Sequence, residues 1–196
     1  MAKADRTGDD LLQRHREPAR HYHTAAHILA MLDGMREFAD DFAAPDTAAL
    51  AIFFHDAIYD PARSDNEAQS ARLLQNMLGG LVVDHVIEPA SAIILATKAH
   101  EGGAEPDINL VIDLDMAVLG APWDDYLRYA KGVMAEYVPV YGEDAYRQGR
   151  CQLFLAPVLA GGSVFLTPRF KPLDGRAMAN MAREQELLLS GAQLAQ

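Results

Sequence analysis

AHILAMLDGMREFADDF, residues 26–42, decides the reading of the fold. Its apolar residues Ile28, Met31, Met35, Phe38 and Phe42 recur three and four positions apart. Such positions share one side of an α-helix, so the stretch predicts a long amphipathic helix with its apolar stripe turned to a core. Pro18 and Pro45 bound it, because proline disrupts a helix that it interrupts.

The same periodicity continues outward. Asp46 or Thr47 is a plausible N-cap for a second helix through ALAIFFHDAIY, running to the Asp60-Pro61 turn. Asp65 can cap a third, DNEAQSARLLQNML, which stops at Gly79-Gly80. A fourth is expected over about 87–100 and a fifth over about 108–119, ended by Gly120. Beyond Pro122 two more are expected, at about 123–138 and 143–160. A Gly/Pro-containing passage over 161–175 then leads to a last helix near 176–190. No segment alternates as a half-buried strand would, so the fold class is all-α, a helical bundle. No linker or internal repeat divides the 196 residues, and a single domain is expected.

Half of the residues are hydrophobic, enough for a sizeable core. The formal charge of −11 opposes an extended nucleic-acid surface, which needs many Lys and Arg against phosphates. A small anionic substrate can still bind if an ion and a few basic side chains locally overcome that field. Cys151 is the one cysteine, so neither an intrachain disulfide nor a cysteine zinc cage is available. No stretch has the roughly 18 uninterrupted apolar residues of a membrane span, and MAKADRTGDDLLQRHREPAR has no signal-type apolar core. A reducing cytoplasm is the expected compartment.

Against this helical background, several ionisable residues occupy places where a core helix carries hydrophobes. His27 continues the stripe of Met31, Met35 and Phe38; His55 lies between Ile52 and Tyr59, and Asp56 follows it directly. Ile108, Ile112, Asp115 and Leu119 fall at intervals of four, three and four, which puts Asp115 in the core stripe and Asp113 further round. An unpaired buried carboxylate costs several kcal/mol, so these acids need a cation, an ion-pair partner or several donors. Two imidazoles and two carboxylates form a mixed nitrogen and oxygen set suited to Mn²⁺, Fe²⁺, Co²⁺, Ni²⁺ or Zn²⁺, with Mg²⁺ admissible where oxygen dominates. Asp115 is the preferred last ligand, with Asp113 as competitor or as an acceptor for a ligand histidine's N–H.

PARHYHTAAHI, FHDAIYD, SDNEAQSA, ATKAH and DLDMAVLG follow one another in this chain. In that order they resemble the HD superfamily of metal-dependent phosphohydrolases, in particular a small bacterial subfamily of predicted phosphohydrolases. The superfamily pattern is an upstream His, an adjacent His-Asp pair and a distant Asp, here matched by His27, His55-Asp56 and Asp115. The resemblance covers roughly residues 15–185. It implies a metal-binding helical core at about 15–125 with a C-terminal helical extension at about 126–190. It also implies one or more divalent ions and hydrolysis of a phosphoester or phosphoanhydride in a small phosphorylated substrate, a nucleotide among the options. The superfamily also includes di-iron oxygenases, and a non-catalytic nucleotide- or metal-binding regulatory module is a further alternative.

Around the expected metal, Arg20, His23, Lys98 and His100 are candidates for binding the anionic substrate. His23 is four residues before His27, the spacing of one helix face. Lys98 and His100 come at a helix end beside a Gly-rich loop. Asp65 and Glu67 read as a cap and a first-turn acid. They also stand where the resemblance places an acidic catalytic residue, so general acid/base work is the second reading of both beside the cap.

Overall fold

The computed structural model describes residues 3–194, with side chains from residue 8 onward. It is helical as expected: the described residues include no strand, only an isolated bridge between Gly79 and Val82. Two compact units divide the chain between Asp115 and Met116, ahead of the transition near residue 125 that the resemblance implies. None of the described helices is long and apolar enough to cross a membrane.

The first unit runs from α1 (Lys3–Arg14) through α2 (Ala25–Glu37), α3 (Pro45–Phe54), α4 (Asn66–Leu78) and α5 (Asp84–Ala96) to α6 (Pro106–Met116). α3 is central, packed by α2, α4 and α5. Ala48, Ala51 and Ile52 of α3 and Ala90 and Ile94 of α5 have no exposed surface. Small side chains at such a contact let helix backbones approach closely while the larger ones fill the space between. Gly34 does the same for α2 and α6: a Cβ built there would stand 2.8 Å from Leu114 Cδ2. That close approach seats the helix carrying Asp115 against the one carrying His27.

Several helix limits differ from those read in the sequence. α2 begins at Ala25, capped by Thr24, whose hydroxyl accepts from the Ala26 N–H. His23 therefore lies ahead of the helix, and it does not share a helix face with His27. α3 starts at Pro45, so neither Asp46 nor Thr47 is its cap; proline suits a first turn because its missing N–H would be unpaired there anyway. The Asp107 carboxylate accepts from the N–H groups of Ala43 and Ala44, both at 2.8 Å, a partner far along the chain that no local pattern announces. α3 also ends at Phe54, leaving His55 and Asp56 in the turn beyond it. Asp65 is the residue before α4, but its carboxylate serves Arg63 and Gln69 and not the helix N–H groups.

The second unit contains a 3₁₀ turn (Ala117–Gly120), α7 (Trp123–Tyr141), α8 (Glu143–Gly149), a π-helical turn (Arg150–Leu155), α9 (Ala156–Gly161), a second 3₁₀ turn (Lys171–Leu173) and α10 (Asp174–Leu189). The expected single helix over 143–160 thus has a π turn inside it, next to Pro157, which offers no N–H to the carbonyls behind it. Across this unit the Asn180 carboxamide donates to the carbonyls of Leu119 and Ala121, both at 2.9 Å. Arg150 donates to Glu184 at 3.0 and 3.2 Å, and the Tyr126 hydroxyl donates to the same buried carboxylate. Asp174 Oδ1 holds the N–H groups of Val164 and Phe165, tying the irregular passage before α10 to that helix.

Candidate metal centre

Three elements of the first unit bring His27, His55 and Asp115 together. His27 sits in the first turn of α2, His55 just past α3 and Asp115 near the end of α6. One donor atom from each lies within 4.8 Å of the other two. His27 Nε2 is 3.0 Å from Asp115 Oδ1, and His55 Nε2 is 3.9 Å from that oxygen and 3.1 Å from Asp56 Oδ2. Asp56 thus adjoins the cluster through His55. Asp113, the competitor for the last ligand, is fully buried and is not part of this three-residue group.

The His55 ring is oriented by the helix that precedes it. Its Nδ1 lies 2.9 Å from the Ile52 carbonyl, and a carbonyl can only accept, so Nδ1 carries the proton and Nε2 is turned inward. The Nε2 atoms of both His27 and His55 are buried without a hydrogen-bond partner. Their approach to carboxylate oxygens is close but not in hydrogen-bond alignment. Leaving such an atom unpaired costs about 1–3 kcal/mol, a cost that a cation at the common point would remove. The residues therefore fit a divalent ion, and the donor set of imidazole nitrogen and carboxylate oxygen matches the borderline transition metals.

The charges are arranged to the same end. Burial favours a protonated Asp115, but the hydrogen bond from His100, the close contact of His27 and the nearby His55 outweigh it and hold the carboxyl well below its usual range. Burial likewise opposes ionisation of Asp56, and the His55 charge, then His23, overcomes it. For His55, burial disfavours the imidazolium, yet the charge and contact of Asp56 and the charge of Asp115 raise it to about 9. The carboxylates are thus ionised and ready to act as ligands, while His55 must release a proton to do so.

The other expected residues fall into distinct settings. His100 donates from Nε2 to Asp115 Oδ2 at 3.0 Å, so it engages the oxygen opposite the one facing His27. Its backbone is left-handed, with φ +51°, the one non-glycine residue with positive φ among those described. His23 stacks on Tyr59 with ring centres 4.3 Å apart. Lys98 is exposed and donates to the Ser64 carbonyl. Glu67 is half-buried in the first turn of α4.

Arg20 departs most from expectation. Its side chain is 1% exposed, and its guanidinium is occupied by Glu17 at 3.0 Å and by the carbonyls of His23 at 3.1 Å, Asp56 at 2.7 Å and Ala57 at 3.4 Å. All of these bonds are to the chain itself. Sequence reasoning missed His15 altogether. It is buried, and its Nε2 donates to the Phe53 carbonyl at 3.2 Å, just before the His-Asp pair. Comparisons with family models, with curated proteins and with solved structures gave no match.

Proposed function

We propose that this chain is a divalent-metal-dependent phosphohydrolase acting on a small phosphorylated substrate, with nucleotides the first class to test. The observation that carries the reading is the convergence of His27, His55 and Asp115, with two buried imidazole nitrogens lacking partners. Asp56 joins them as the second carboxylate. A divalent ion held by this set supplies Lewis acidity, acidifying water and polarising a phosphoryl oxygen. His23, Lys98 and His100 are the basic side chains assigned to a substrate phosphate, with the Arg20 guanidinium bonded to the chain itself. Glu67 is the acid that remains for proton transfer, because Asp65 is tied to Arg63 and Gln69 and held below its usual range by them. Phosphate release from nucleotides and a generic phosphomonoester, assayed with Mn²⁺, Co²⁺, Zn²⁺ or Mg²⁺, tests the proposal. Turnover that disappears in His55→Ala and Asp115→Ala is expected. A folded, metal-loaded protein that releases no phosphate from any of them would contradict it.

A second reading, a di-iron oxygenase, has one observation in its favour: imidazoles address both oxygens of Asp115, His27 on one and His100 on the other. Two iron ions per chain, with O₂ consumption, would favour it over hydrolysis.

A further inference from the structure

α3 ends immediately before the two adjacent residues assigned to the metal, so the carbonyls of that turn need donors from elsewhere. Phe54 accepts from the Ala57 N–H at 3.0 Å, and Ile52 accepts from the His55 ring. Three more, those of Phe53, Asp56 and Ala57, are taken by two side chains more than thirty positions upstream. His15 Nε2 donates to Phe53, and Arg20 Nη1 and Nη2 donate to Asp56 and Ala57. Arg20 Nη1 also donates to the His23 carbonyl, so one buried guanidinium spans the segment ahead of α2 and the turn beyond α3. The two segments it joins flank His27 on one side and carry His55 and Asp56 on the other.

We propose that Arg20 and His15 are positioning residues, a brace on the backbone of the His55-Asp56 turn that sets its affinity for a divalent ion. Metal–ligand distances tolerate deviations of only about 0.2 Å, so a turn free to shift would lose affinity while the fold persisted. Charge alone does not serve this purpose. A lysine ammonium is a compact charge and cannot reproduce the planar fork that reaches several carbonyls at once. For His15, a glutamine can place an amide N–H near the position of Nε2, whereas phenylalanine fills the space without a donor. The proposal rests on the metal-site reading above.

The test is a Co²⁺ titration of the full chain, followed by the visible absorption of the bound ion and paired with thermal unfolding. Arg20→Met and Arg20→Lys are expected to lose roughly tenfold to a hundredfold in Co²⁺ affinity, the usual effect of removing support behind a metal ligand. His15→Phe should fall in the same direction, with His15→Gln returning to wild-type affinity. Asp107→Ala is the control for simple destabilisation, since it removes the bonds to Ala43 and Ala44 at the opposite end of α3. It should lower the melting temperature and leave Co²⁺ affinity and spectrum unchanged. Wild-type affinity and spectrum in folded His15→Phe, or an equal loss of affinity in Asp107→Ala, would overturn the brace alone. A wild-type chain that takes up no Co²⁺ would overturn the metal reading and the brace together.

Discussion

His15 and His55 titrate in opposite directions within one unit, and each makes a prediction. Burial, the largest influence on His15, lowers it to about 4, with Arg20 adding to the effect and the bond to Phe53 opposing it. Its unfolded value is about 6.5, so between these values the unfolded chain binds more protons and acid favours unfolding. The His15 contribution is therefore complete above about pH 6.5 and is lost as pH falls toward 4, by on the order of 2 kcal/mol. Urea unfolding of wild type and His15→Gln across that range should show a stability difference that grows in favour of the variant as pH falls; a constant difference would be against it. His55 behaves conversely. Held near 9 by Asp56 and Asp115, it must lose a proton before it can ligate, so metal affinity should weaken as pH drops below that value, by about tenfold per pH unit. Metal titrations at pH 7 and 8 check this, and an unchanged affinity would show that no proton leaves His55 on metal binding. His27, His55 and Asp115 were legible because each places a polar group where the helical pattern calls for a hydrophobe. Arg20 and His15 were not legible as supports, since their acceptors are backbone carbonyls, which leave no mark on side-chain identity.

At the scale of elements, periodicity located the helices and missed some of their ends. The reading carried the second helix on to residue 59 because Ala57 and Ile58 keep it apolar, whereas α3 stops at Phe54. What stops it is the set of donors brought by His15 and Arg20, which satisfy carbonyls that continued helix would otherwise use. The beginning of α3 depends on a still more distant partner. Asp107→Ala should cost about 1–2 kcal/mol, typical for loss of a helix-start cap, measured by chemical unfolding. No change would mean that Pro45 alone is enough to start the helix. The π turn at Arg150–Leu155 was hidden for a related reason: its apolar spacing resembles that of an α-helix, and only the position of Pro157 hints at an interruption.

Across the whole molecule, every residue read as part of the site belongs to the unit that ends at Asp115. The second unit has a polar centre of its own. Glu184, with no exposed surface, receives Arg150 and Tyr126, while the Arg150 guanidinium also reaches the Tyr129 hydroxyl at 2.8 Å and lies over the Phe154 ring. Arg150→Met would strand the Glu184 charge and is expected to destabilise by about 3–5 kcal/mol; adding Glu184→Leu should recover part of that loss. A double variant no more stable than Arg150→Met would show that the pair contributes through packing and not through charge. The all-helical class could be read from sequence because one periodicity runs through nearly the whole chain, but the division into units depends on packing that local patterns do not carry.

The proposed function requires that His27, His55 and Asp115 share a divalent ion, with Asp56 beside them. A crystal structure of Co²⁺-loaded protein, with anomalous scattering recorded at the cobalt edge, tests it most directly. A peak is expected among His27 Nε2, His55 Nε2 and the Asp115 carboxylate, at about 2.0–2.2 Å from each donor as in comparable transition-metal sites. Loaded protein with no peak there, or with the ion on Asp113, would contradict it.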